Sequence, residues 1–413
     1  MSIRFDILHR SPTTRARLGR VTTPHGAFDT PAFMPVGTRG TVKGLLPGMV
    51  AATGAQIILG NTYHLLLRPG PDLIAKLGGL QRFTGWAGPM LTDSGGYQAF
   101  SLAHTNTLTD DGVTFKSIVD GAMVHMTPES AMDIQNKLGA DIIMAFDDCP
   151  PADKQPEVAK PTGRSRSTTA DYPKRIKEAN ERTVRWLERC KAEHHRLGGD
   201  ARRALLGIVQ GGTDLDARSW SAERISNIDL PGYAIGGVAV GEGSADIARV
   251  VAHTAPLLPE TKPRYLMGVG YERDLLAAVR SGVDMFDCVL PTRNGRNANA
   301  FTPSGQIRLR NAKFADDPLP IEPGCDCAAC APGPAKGFPW ASDGDQPFSR
   351  AYIRHLFFAE EMLGPILVSL HNLRYFQRFM ADLRATIRSD DWTGFEARWP
   401  VAQPAERAVD TSL

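Results

Sequence analysis

Asp141-Ile142-Ile143-Met144-Ala145-Phe146-Asp147 is an apolar run closed by a carboxylate at each end. It does not alternate polar with apolar residues, as a strand with one wet face would. An unbroken run of this length reads as a strand buried on both faces, as in a parallel sheet. Seven more runs of the same kind surround it: Ala32–Gly37, Gln56–Asn61, Pro89–Ser94, Leu205–Gln210, Tyr233–Val238, Arg264–Val269 and Met285–Leu290. Helical stretches lie between many of them, among them Pro128–Leu138, Glu178–Leu197 and Glu272–Ser281. The alternation predicts an α/β fold. A doubly wound open sheet fits it as well. Eight runs with polar residues gathered at their carboxyl ends favour a (β/α)8 TIM barrel, whose sites are built at those ends.

Composition narrows the class. The 413 residues are 42% hydrophobic and 22% charged, which excludes a disordered chain. Lys and Arg total 47 against 45 Asp and Glu, so bulk charge points to no polyanion and any nucleic-acid contact must come from local patches. The stretch Met1–Arg10 has no apolar core like that of a signal peptide. No run reaches the roughly 18 apolar residues of a membrane helix, which predicts a cytoplasmic protein with no membrane partner. Of six cysteines, three crowd into Cys325, Cys327 and Cys330. That pattern fits a reduced chain with one metal site better than a disulfide scaffold. Two stretches rich in loop-forming residues, 150–175 and 331–347, interrupt the strand-helix pattern.

Four groups of residues carry chemistry. The three clustered thiolates suit a tetrahedral structural Zn²⁺, with His355 or His371 as the fourth ligand. His371 is expected close to a helix start, since a helix capped by Ser349 should run to Leu363 and another begin near Asn372. Asp93, Asp147, Asp148 and Asp287 follow strand runs and would converge at a barrel mouth. For each alone, a cap or loop hydrogen bond is the ordinary explanation. Together they suit a nucleophile and an acid/base at a glycosidic carbon. The pairs Gly95-Gly96, Gly211-Gly212 and Gly236-Gly237 follow strands and expose N–H donors, or serve only turn geometry. From Cys288 to Ala315 there is no acid, yet Arg293, Arg296, Arg308, Arg310 and Lys313 occur. This run leaves a proposed active-site strand where a phosphate backbone would pass. The second basic run, Lys160–Lys177, reads more readily as a solvated face.

These motifs together resemble the bacterial queuine tRNA-ribosyltransferases, or tRNA-guanine transglycosylases. The most specific pieces are Leu91-Thr-Asp-Ser-Gly-Gly-Tyr-Gln98, Gly236-Gly-Val-Ala-Val-Gly-Glu242, Tyr265-Leu-Met-Gly-Val-Gly270 and Phe286-Asp-Cys-Val-Leu-Pro-Thr-Arg293, joined by the cysteine cluster with a later His-Asn. The resemblance implies one barrel domain over 1–413, with a zinc-binding subdomain inserted at 311–375. It implies a pentosyltransferase of queuosine biosynthesis that exchanges the wobble guanine of tRNAs with G-U-N anticodons for 7-aminomethyl-7-deazaguanine. It makes Asp287 the nucleophile and Asp93 the general acid/base. Asp147, Gln210 and the Gly236-Gly237 backbone would hold the base, with Tyr97 and Met267 on its faces. Arg293 and Arg296 would meet the tRNA. Cys325, Cys327, Cys330 and His371 would bind one structural zinc, and the protein would be a homodimer. Cys149 and Val240 favour the small aminomethyl base over finished queuine, because eukaryotic-type relatives carry Val and Gly there. Both interrupting stretches are longer than the family's.

Overall fold

A computed structural model describes residues 3–101, 106–150, 172–331 and 346–403. Eight parallel strands close into a barrel. They are β1 (Ala32–Gly37), β2 (Ile58–Gly60), β3 (Met90–Thr92), β4 (Ile142–Met144), β5 (Ala204–Val209), β6 (Gly232–Ile235), β7 (Arg264–Leu266) and β8 (Met285–Cys288). Each pairs with its neighbour in sequence, and β8 pairs with β1 through Met285 opposite Ala32 and Phe286 opposite Phe33. Each of the eight apolar runs overlaps one barrel strand, and two of the strands, β5 and β6, begin one residue earlier than their runs.

Their lack of alternation has a direct cause. Ile142, Met144, Leu206, Ile208, Ala234, Tyr265 and Met285 point inward and fill the barrel. Ile143, Leu205, Val209, Tyr233, Ile235, Leu266 and Phe286 point outward into a second core under the helices. Both faces are dry, so both are apolar.

The helix Pro128–Leu138 has the bounds its sequence predicted, fixed by a capping box between Thr127 and Ser130 and by Gly139 in the left-handed region at its end. Other boundaries differ. The helix between β4 and β5 spans Tyr172–Arg196, so Lys174 and Arg175 are helical rather than part of a loop. Arg175 and Arg182 both bind the buried carboxylate of Asp148, at 2.5 Å each. Arg175 is therefore committed internally, and Lys160, Arg164 and Arg166 of the same basic run lie outside the described residues. A three-stranded antiparallel sheet, Arg4–Arg10, Arg17–Thr23 and Gly26–Thr30, precedes the barrel. Its Val21 and Phe28 pack into the inner barrel core. Arg17 there binds Asp284, just before β8, in a buried ion pair of 2.6 Å.

After β8 the chain forms the helix Leu290–Arg296 and a hairpin, Asn299–Thr302 with Gly305–Arg308. The cysteine loop follows. Ser349 caps the helix Arg350–Phe358, which stops five residues before the expected Leu363. A long helix then covers Leu363–Ser389, so His371 sits well inside it and not near its start. This helix ties the cysteine region to the barrel. Its Phe376 stacks on Phe33 of β1 at 4.9 Å between ring centroids, and its Gln377 donates to the Phe33 carbonyl at 3.0 Å.

Candidate active site

A cleft of about 640 Å³ opens at the carboxyl ends of the strands. Asp93 follows β3, Asp147 follows β4, Gln210 follows β5, Gly236 and Gly237 follow β6, Met267 follows β7, and Asp287 belongs to β8. All of them line it, with Tyr97, Cys149, Val240 and Arg293. Arg296 is half-buried and lies outside the lining. Asp148, grouped with the cleft carboxylates from sequence, instead turns away to Arg175 and Arg182.

The three cleft carboxylates have different surroundings. Asp93 is buried, and its carboxylate accepts the Thr62 N–H at 2.8 Å and the Asn61 amide. Asn61 also caps the helix Thr62–Leu67 by accepting the His64 N–H at 3.1 Å. Burial is the main cause that raises the Asp93 carboxyl to about 7, with the Asp287 and Asp147 charges adding to it. Asp147 is buried as well and accepts Ser94 Oγ at 3.0 Å and Gln210 Nε2 at 2.6 Å. Burial raises it to about 6, and those two bonds restrain the rise. Asp287 Oδ1 accepts the Tyr265 hydroxyl at 2.6 Å and the Gly268 N–H at 2.9 Å. Burial raises this carboxyl too, and both donors hold it down. Burial thus pushes all three carboxyls upward, and Asp93, raised to about 7, can hold or release a proton near neutrality.

Backbone fixes the rest. Gly237 has φ +62°, and a Cβ there would fall 2.2 Å from Gln210 Oε1. No other residue fits without displacing Gln210. Asn61, Thr62 and Tyr265 hold the carboxylates but were not singled out from sequence. Asn61 ends the second apolar run, which was the one available signal for it.

Apart from the cleft, Cys325, Cys327, Cys330 and His371 are buried together, their ligand atoms all within 4.8 Å of one another. His371 Nδ1 lies 3.7, 3.5 and 3.6 Å from the three sulfurs. Its Nε2 donates to the Phe301 carbonyl at 2.8 Å, which leaves Nδ1 free to ligate. Three thiols and an imidazole converging in this way could hold one metal ion in a closed tetrahedral site. His355 is exposed on the preceding helix and takes no part. No helix among the described residues is long and apolar enough to cross a membrane.

Comparison with known proteins agrees with this arrangement. A family model described as queuine tRNA-ribosyltransferase matches residues 11–405. A protein of that name from Symbiobacterium thermophilum is 48% identical over 411 residues, covering 98% of this chain and 94% of its own. One from Herpetosiphon aurantiacus is 51% identical over 384 residues, covering 93% and 89%. One from Thermus thermophilus is 48% identical over 393 residues, covering 95% and 92%. With a closed eight-stranded barrel and a Cys₃His cluster in place, the chain belongs to the queuine tRNA-ribosyltransferase family.

Proposed function

We propose that this protein is a tRNA-guanine transglycosylase. It exchanges the wobble guanine of tRNAs with G-U-N anticodons for 7-aminomethyl-7-deazaguanine, in queuosine biosynthesis. The observation that carries the reading is the trio of cleft carboxylates in three unlike settings. Asp287, with the Tyr265 and Gly268 donors favouring its anion, attacks the ribose anomeric carbon. The bond to the ring nitrogen of guanine breaks, and Asp93, whose carboxyl is raised to about 7, supplies in its protonated form the proton that the departing base takes up. The product is an ester between Asp287 and the tRNA ribose. The incoming base then gives its ring-nitrogen proton to Asp93 and displaces Asp287, with net retention at the sugar.

Asp147 accepts the N–H groups of the guanine edge, which adenine does not offer. Gln210 and the backbone of Gly236 and Gly237 complete the edge, and Tyr97 and Met267 cover the two faces. Arg293 at the cleft rim and Arg296 behind it meet the flanking phosphates. Cys149 and Val240 line the cleft and leave room for an aminomethyl group rather than for finished queuine.

Cys325, Cys327, Cys330 and His371 hold one structural Zn²⁺, which organises a subdomain at 311–375 within a single barrel domain. The donor set supports this, since clustered thiolates with one imidazole favour zinc. The protein works in the cytoplasm as a homodimer.

The test is a covalent adduct. Wild-type protein incubated with tRNA while free guanine is scavenged should yield an RNA–protein species that survives a denaturing gel. Asp287→Asn should give none while still retaining tRNA on a filter. Irreversible release of guanine without adduct would make the protein a hydrolase. Retention of tRNA without either product would make it a binding subunit.

A further inference from the structure

Arg218 is a fully buried guanidinium on the helix Leu215–Ser226, directly behind the base-binding loops. Among the described residues no carboxylate is in ion-pair contact with it. Glu242 acts on it only at a distance. Its donors go instead to four main-chain oxygens. Nε reaches Gly212 O at 2.8 Å, Nη1 reaches Val209 O at 3.1 Å and Gly236 O at 2.7 Å, and Nη2 reaches Gly237 O at 2.9 Å. Burial lowers its pKa only to about 10, so the charge persists at neutral pH. A buried cation with no carboxylate in contact is costly and needs a reason beyond packing.

Two of those oxygens supply the reason. The Gly236 carbonyl shares its peptide with the Gly237 N–H, and the Gly237 carbonyl shares its peptide with the Val238 N–H. In a trans peptide the oxygen and the hydrogen point in opposite directions. Oxygens tied to Arg218 therefore turn both N–H groups away from it. Gly237, Val238 and Cys149 all line the cleft. A cation on the oxygen end of a peptide also strengthens donation from its N–H end, and the effect is largest where water is excluded.

We propose that Arg218 is a positioning residue that makes the cleft selective for a purine with an oxygen at its six-position. It acts by aiming and polarising the Gly237 N–H toward that oxygen. This rests on the base-binding reading of Asp147, Gln210 and Gly237. On a guanine edge the six-oxygen adjoins the N–H that Asp147 would accept, so a donor must meet it. As the base departs, charge builds on its ring nitrogen and spreads to the same oxygen. The polarised N–H then contributes to the rate as well as to binding.

The test compares guanine with 6-thioguanine, which keeps both N–H groups for Asp147 but replaces the oxygen with a weaker acceptor. Zinc-loaded wild type and Arg218→Lys are compared by competition in the tRNA exchange assay, with KM and kcat determined for each base. Lysine keeps the charge but cannot hold both carbonyls in the same fork. Wild type should prefer guanine, and Arg218→Lys should lose about tenfold in guanine affinity while changing little toward 6-thioguanine. Its kcat for guanine should fall as well. Equal losses for both bases, or an unchanged preference, would make Arg218 merely structural and overturn the proposal. A wild type indifferent both to the sulfur and to Asp147→Ala would instead remove the base-binding reading beneath it. If Arg218→Lys does not fold, the question passes to wild type and the infrared C=O stretch of ¹³C-labelled guanine. A lower frequency when bound than in water supports the polarised donor, and an unshifted band overturns it.

Discussion

The hydroxyl of Tyr265 lies 2.6 Å from Oδ1 of Asp287, so a buried phenol from β7 donates to the carboxylate of β8. The bond favours the anion and opposes the upward push of burial on Asp287. Tyr265→Phe should remove that restraint. A hydrogen bond to a charged group contributes about 1.5–3 kcal/mol, which corresponds to roughly 1–2 pH units. Under the proposed mechanism Asp287 must be ionised to attack, so the acid limb of kcat/KM should move to higher pH by about that much. A pH profile superimposable on wild type would show that the phenol does not tune Asp287.

Asp93 gives a stability prediction of definite sign. Its folded pKa, about 7, is raised above the ordinary 3.8. The folded protein therefore binds this proton more tightly than the unfolded chain. The resulting stabilisation is full below about pH 4 and is lost as pH rises through 7. Asp93→Ala lacks this loss. Between pH 5 and pH 8 wild type should lose up to ~3 kcal/mol relative to the variant, read from urea unfolding at both pH values. The same variant should slow exchange by about 10²–10⁴ if Asp93 moves the proton. Parallel stability profiles would mean that Asp93 titrates normally.

Asp147→Ala takes away the acceptor that faces Ser94 and Gln210. Guanine and 7-aminomethyl-7-deazaguanine present the same N–H edge, so their apparent affinities should fall together. The loss should be about 1–3 kcal/mol for a buried unpaired donor. Competition in the exchange assay measures both. A change for one base alone would place Asp147 elsewhere in the mechanism.

Metal content tests the Cys₃His cluster. Atomic absorption should find about one Zn²⁺ per chain, and Cys327→Ala should abolish it. Because His371 sits on the helix that carries Phe376 to β1, metal loss should lower the melting temperature. Base preference should not change, since the cluster is separate from the cleft lining. Full zinc in His371→Ala would refute the fourth ligand.

What the sequence determined was local or periodic. Eight apolar runs were legible because each barrel strand is dry on both faces. The helix Pro128–Leu138 was legible because its capping residues and terminal glycine are chain neighbours. The three cysteines were legible because six residues contain them. Tertiary structure decided whatever depends on barrel closure. Asn61 meets Asp93, Tyr265 meets Asp287 and Gln210 meets Asp147 across gaps of 32, 22 and 63 residues. No periodicity encodes such partners. Tyr265 looks like one more apolar strand residue until the inward turn of β7 places its hydroxyl. Arg218 looks like a surface charge on a helix until four carbonyls surround it. The antiparallel sheet near the amino terminus has too little apolar patterning to stand out, and it becomes a layer of the core only when Val21 and Phe28 reach the barrel interior. Local chemistry wrote the strands and the clustered thiols, while the electrostatics of the cleft arose only when distant strand ends were brought together out of water.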